Sequence, residues 1–185
     1  MAEQSIEDLL NTLRNGIPGD PDAEWRAAIA LGNAQGENRA RAIAGLLELL
    51  SGGGAHALTR SHAVEALGRQ ADSQAIPALL SALNDSYRLV RAYAAGALGR
   101  VANTEEVINR LLERLENDDY FGVRAEAAAA AVNTANRSGF AALRERVRVT
   151  LLARRAVEAS NSTPGAERVV SEIDRSLARL IPSDL

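Results

Sequence analysis

The chain has 185 residues, 46% of them hydrophobic and only 3% aromatic, so a substantial core must be built from Ala, Leu, Val and Ile, which suits closely approaching helices. The formal net charge of -3 argues against a generic nucleic-acid binder. All 21 cationic side chains are Arg and there is no Cys, which excludes disulfides, thiolate metal sites and catalysis by thiol or lysine.

Taken in chain order, Ser5-Ile6-Glu7-Asp8 has the form of an N-cap with acidic first-turn residues. Ile6, Leu9, Leu10 and Leu13 then recur at helical spacing, predicting a short leading helix stopped by Asn15-Gly16 and Pro18. A second helix is predicted over about 20–33 with Pro21 in its first turn, and its partner over about 37–50. Ser51-Gly52-Gly53-Gly54 follows a helix and lacks the Gly-Lys-Ser/Thr ending of a phosphate-binding loop, so it reads as a linker. Two more helical pairs are expected over about 55–84 and 87–117. A fourth unit opens at Tyr120-Phe121-Gly122-Val123-Arg124, carries an Ala run, and is expected to break over 133–139. A longer helix over about 140–159, a loop at Asn161-Ser162-Thr163-Pro164-Gly165 and a last helix over about 166–180 complete the reading. The acidic N-terminal stretch does not read as a signal peptide, and no run approaches a membrane span, so a cytoplasmic protein is expected.

The units repeat one another. Leu67-Gly68-Arg69 and Leu98-Gly99-Arg100 close Ala-rich stretches, with weaker echoes at Gly32 and Val132; the aligned positions 32, 68, 99 and 132 are separated by steps of 36, 31 and 33 residues. Ile76, Leu79, Leu80 and Leu83 match Ile108, Leu111, Leu112 and Leu115, and Ile43, Leu46, Leu47 and Leu50 match both. One apolar stripe thus occurs three times, each seated against an Ala-rich partner.

Asp85, Val90-Arg91, Ala94 and Ala97-Leu98-Gly99 resemble the first helix of a HEAT repeat, of the short-repeat subgroup named after phycobilisome lyases. The run 75–85 resembles its second helix, and the junction 117–124 is similar to one in E-type lyase subunits, with one extra residue. The resemblance covers about 20–132 and implies an all-α fold, a right-handed α-α superhelix of about four helical pairs with terminal capping helices. One domain over 1–185 is expected, with an N-terminal cap (1–19), repeats (20–139) and C-terminal repeat or cap helices (140–185). The family also implies a ladder between turn Asp residues and the Arg six positions on: Asp85 with Arg91 and Asp118 with Arg124, whereas Gly54 stands where the Asp before Arg60 would be and Glu24 occupies the Arg position of the first repeat.

No constellation for catalysis emerges. His56 and His62 are six apart and off one helical face, no Gly-x-Ser-x-Gly elbow exists, and Asp118-Asp119 sits where Asp caps a helix. No catalytic or metal residues are therefore expected. Three candidate surfaces remain. The first is the second-helix row that lines the concave face in HEAT solenoids: Arg41, Glu48, Gln74, Ser81, Glu106, Asn109 and Glu113. The second is the stripe Arg144, Arg148 and Arg155, within about 40° on a helix and suited to an acidic partner, a phosphate or tetrapyrrole propionates. The third is the aromatic set at the repeat edge, the equivalent pair Tyr87 and Tyr120 with Phe121, Tyr93 and Trp25 as further members. The expected function is a protein-interaction scaffold acting through its concave face, without cofactor, nucleic acid or membrane and with the oligomeric state open. The alternative, implied by the resemblance, is a phycobilin lyase subunit that binds a linear tetrapyrrole (bilin) and presents it to a phycobiliprotein.

Overall fold

The computed structural model describes residues 4–182; positions 1–3 of the expected N-terminal cap and 183–185 of the C-terminal segment lie outside the described residues. Ten α-helices follow in chain order: α1 (Ile6–Asn15), α2 (Ala23–Leu31), α3 (Glu37–Ser51), α4 (Ala57–Gln70), α5 (Ile76–Ala82, entered through a 3-10 turn at Ser73–Ala75), α6 (Arg88–Val101), α7 (Glu105–Asn117), α8 (Phe121–Ser138), α9 (Ala141–Ser160) and α10 (Ala166–Arg179). They form an α-α solenoid with two rows.

The first helices of the repeats, α2, α4, α6 and α8, stack directly on one another, and α10 continues this row beyond α8. The second row holds α1, α3, α5, α7 and α9, whose consecutive members touch far more sparingly. Small residues set the difference. A Cβ placed on Gly32 would lie 2.8 Å from Ala66, one on Gly68 2.7 Å from Ala97, and one on Gly99 2.8 Å from Ala130. Glycine facing alanine brings two helix backbones together, and Leu31, Leu67, Leu98 and Val132 one position earlier or in register fill the space between the rows. From the second row Leu46, Leu79, Ile108, Leu111 and Leu115 are buried against them. Each such leucine contributes about 1.5–3 kcal/mol of burial, spread along the stack rather than gathered in one central core.

Two expectations change. Pro21 precedes α2 instead of occupying its first turn. The chain turns there because the Asp22 amide donates to Asp20 Oδ1 (3.2 Å) and Trp25 Nε1 donates to Asp22 Oδ1 (2.9 Å), which delays the helix to Ala23. The segment 133–138 does not break but extends α8, with Thr134 and Ala135 buried and Arg137 donating to the carbonyls of Ala102 (2.9 Å) and Gly99 (2.5 Å). The helix stops only at Gly139, at φ 74°. The helices beyond α8 extend both rows: α9 packs on α7 and α8 as a second helix, and α10 packs on α8 as a further first helix. At the other end, a capping box between Ser5 and Asp8 starts α1, and Leu10 enters the notch left by Gly45 on α3.

Candidate interaction surface

The turn aspartates and first-helix arginines form a ladder whose rungs cross between repeats. Arg60 Nε and Nη2 donate to the two oxygens of Asp85, both at 2.8 Å, and Arg91 does the same to Asp118 at 2.8 and 2.9 Å. Arg91 also holds Asp119 at 2.6 Å. Each arginine spends its remaining nitrogen on the turn before its own helix: Arg60 on the Ala55 carbonyl (2.7 Å), Arg91 on that of Asp85 (3.0 Å) and Arg124 on that of Asp118 (3.0 Å). The Arg six residues after an Asp therefore meets that residue's backbone, and its carboxylate partner comes from the next repeat. This places a partner on Arg60, which the intrarepeat spacing left without one. Gly54 and Glu24 prove to be one departure, because the rung between repeats one and two would need both residues.

Arg124 has no further turn Asp, and Glu158 on α9 substitutes for it at 2.6 Å; Arg154 binds the same oxygen at 2.6 Å. Glu158 is 1% exposed, a position that sequence spacing alone did not reveal. Burial is the largest single influence on Asp85, Asp118 and Glu158 and raises their pKa values, but the arginine and other hydrogen bonds together with the arginine charges outweigh it and hold all three below the ordinary carboxylate range. The arginines of the Leu-Gly-Arg phrase serve the same stacking. Arg69 and Arg100 donate to the carbonyls of Ile29 (3.4 Å) and Gly68 (3.3 Å) on the preceding first helix.

The predicted arginine stripe is largely consumed within the fold. Arg148 pairs with Glu145 (2.7 and 2.5 Å), Arg155 with Asp174 (2.5 and 3.1 Å), and Arg144 is buried. The nearest partner of Arg155 stands on α10, which stripe geometry on one helix could not show. Of the second-row candidates, Arg41 pairs with Glu7, Glu48 with Arg14 (2.8 Å), and Glu113 with Arg110 and Arg114 (both 3.0 Å). Gln74, Ser81, Glu106 and Asn109 are exposed. Tyr87 and Tyr120 are the N-cap residues of α6 and α8, their amides bound to Asp85 (2.8 Å) and Asp118 (3.0 Å). Among the described residues no group of three His, Cys, Asp or Glu side chains could hold a metal ion, and no helix is long and apolar enough to cross a membrane.

One further set of residues was touched as a candidate surface by the sequence reading only at Tyr93. Counting back six positions from the aligned Gly32, Gly68, Gly99 and Val132 gives Arg26, His62, Tyr93 and Glu126 on four consecutive first helices. Three residues further on stand Ile29, Glu65, Gly96 and Ala129, and at the position after the aligned one Asn33, Arg69, Arg100 and Asn133. None of the twelve is buried, and on α4 Glu65 lies 3.5 Å from His62 and 3.2 Å from Arg69. The His62 ring lies 5.3 Å from that of Trp25, and the Glu126 carboxylate would sit 3.1 Å from a Cβ on Gly96. The Glu126 pKa is pushed up, first by burial against its neighbours and then by the charge of Glu172, with Arg100 opposing. The signal that could have found the set is variation: these positions change chemistry from repeat to repeat while the Ala, Leu and Gly around them do not.

Compared with known families, residues 43–132 match the sequence model of HEAT repeats. The central repeats are similar to HEAT repeats. The match spans just under half of the chain and is to HEAT repeats in general, without reaching the phycobilisome-lyase subgroup. No curated protein matches significantly. Among solved structures, human deoxyhypusine hydroxylase in complex with glycerol is similar over 96% of this chain and 86% of its own, at 19% identity and a TM-score of 0.42. At that score the likeness carries no argument about function.

Proposed function

We propose that the protein is an interaction scaffold that holds a protein partner against the exposed face of its first-helix row. The observation that carries this reading is the set Arg26, His62, Tyr93 and Glu126, one position, exposed at Arg26 and Glu126 and half-buried at His62 and Tyr93, whose chemistry differs in every repeat while the packing residues around it recur. Repeat scaffolds separate stacking from recognition in this way. The row also bears on which face is inner. A double row whose first helices are packed closely and whose second helices are splayed bends toward the close row, so we infer that the concave side belongs to α2, α4, α6 and α8, and that Arg41, Glu48, Gln74, Ser81, Glu106, Asn109 and Glu113 face outward.

The tetrapyrrole alternative, which rested on the resemblance to the lyase subgroup, gains no support from the arginine stripe, whose members pair with Glu145 and Asp174 or are buried. Capture from the source cell tests both readings. Tyr93→Ala combined with Glu126→Ala is expected to reduce partner recovery, while Glu106→Ala with Asn109→Ala leaves it unchanged, helicity by circular dichroism being equal in all. Equal recovery by both variants would remove the first-helix face. A new long-wavelength absorption band on mixing the protein with biliverdin would instead favour chromophore handling.

A further inference from the structure

Sixteen of the 21 arginines have a carboxylate within 4.0 Å among the described residues. Arg100 and Arg137 are spent on carbonyls of the preceding repeat, and Arg144 is buried. Arg88 and Arg168 alone are exposed and make no hydrogen bond or ion pair with any described residue. They are not scattered. The Arg88 guanidinium carbon lies 4.7 Å from the centre of the Tyr120 ring, that of Arg168 lies 5.7 Å from the centre of the Phe121 ring, and the two rings are 4.8 Å apart. A guanidinium over a ring gains cation–π attraction and still has its N–H donors free to bind elsewhere.

The arrangement is built by the backbone. A Cβ on Gly122 would meet the Tyr120 ring at 2.6 Å, and one on Gly165 would strike the Phe121 ring, so both glycines make room for the aromatic pair. Arg88, Phe121 and Arg168 stand in the first turns of α6, α8 and α10, neighbours in the first row, so the group crosses three helices at one edge of the stack. None of these helices has a side-chain N-cap, and the positive ends of their dipoles add to the two arginines. Tyr87, 36% exposed, extends the shelf. Of the nearby carboxylates, Asp119 is engaged by Arg91 and Glu172 by Arg175 and Arg179, whereas Glu126 and Glu167, beside Phe121 and Arg168, have no ion pair among the described residues.

We propose that this edge docks an acidic, extended segment of a protein partner, its carboxylates reaching Arg88 and Arg168 and its intervening side chains lying on the Tyr120–Phe121 shelf. The proposal rests on the scaffold reading and names the partner's chemistry. Arginine and aromatic residues are the side chains that dominate protein interfaces. Two arginines on opposite flanks of an aromatic pair suit separate carboxylates along a chain, whereas a phosphate group calls for donors converging on one point.

The probe is a fluorescein-labelled octapeptide of alternating Glu and Tyr, followed by anisotropy. Binding to the wild type is expected, with affinity about tenfold lower for Arg88→Ala combined with Arg168→Ala, unchanged for Arg110→Ala on α7, and lost when the peptide carries Gln in place of Glu. Reversing both sites, Arg88→Glu with Arg168→Glu, should transfer binding to an alternating Lys and Tyr peptide, which a folding defect would not do. Equal affinity of the double alanine variant, equal binding of the Gln peptide, an equal loss with Arg110→Ala, or tighter binding of a DNA duplex at the same arginines would each overturn the proposal. Should the edge fail while Tyr93→Ala with Glu126→Ala still impairs partner capture, the scaffold reading stands and only the acidic docking edge is lost.

Discussion

Gly99 and Gly96 lie three residues apart on α6 and should respond oppositely to alanine. A methyl group at Gly99 would meet the Cα and Cβ of Ala130 at 2.8 Å, and the backbone of α8 can yield only if the stack opens. Gly99→Ala should therefore cost about 1–3 kcal/mol by urea denaturation. At Gly96 the nearest atom is the end of the flexible Glu126 side chain at 3.1 Å, so Gly96→Ala should gain up to about 1 kcal/mol of helix propensity. Equal effects would show that the first-row spacing is not set by glycine contacts. At the ladder, Asp118→Asn preserves shape but removes the charge that Arg91 grips, and a loss of about 2 kcal/mol is expected. The rung could not be read from the motif, because Asp118 and Arg91 are 27 residues apart and the motif shows only the six-residue spacing within a repeat.

At the scale of the element, periodicity placed the helices well where the apolar stripe was strong, as in α3 and α7. It failed where tertiary contacts overrode local signals. Asn133, Asn136 and Ser138 look like a helix end, yet Asn136 donates to the Arg179 carbonyl (2.9 Å) and Arg137 caps the preceding first helix, so α8 persists to Ser138. The stop is then the left-handed Gly139, with open space around its Cβ direction. Gly139→Ala should cost about 1 kcal/mol from backbone strain alone, seen as a lowered melting temperature with unchanged packing. Unaltered stability would place the α8–α9 boundary under the control of side chains instead.

For the whole molecule, Asp85, Asp118 and Glu158 link α4, α6 and α8 to the next turn or helix, and all three titrate in the same sense. A carboxylate whose pKa is lower folded than unfolded stabilises fully above its unfolded value, near 4, and that stabilisation is lost as the pH falls through the lowered folded value. The urea midpoint should accordingly fall as the pH drops below about 4, and the gap between wild type and Asp118→Asn should close over the same interval. A gap that persists at pH 2 would show that Asp118 acts through shape or hydrogen bonding rather than charge. Because the stack is nearly one-dimensional, a broken rung should loosen adjoining repeats before distant ones, which hydrogen exchange on α6 and α8 compared with α2 would detect.

The repeat period, the all-helical architecture and the recurring Leu-Gly packing phrase were determined by the sequence itself, because each repeat must bury the same stripe against the same partner and the pattern is therefore local. Which carboxylate each arginine meets, where α8 ends, and which row is closely packed were decided only by tertiary structure. Those outcomes depend on residues 25 to 38 positions apart brought together across the stack. The same reason explains Arg88 and Arg168: they stand out only once the partners of the other arginines are known.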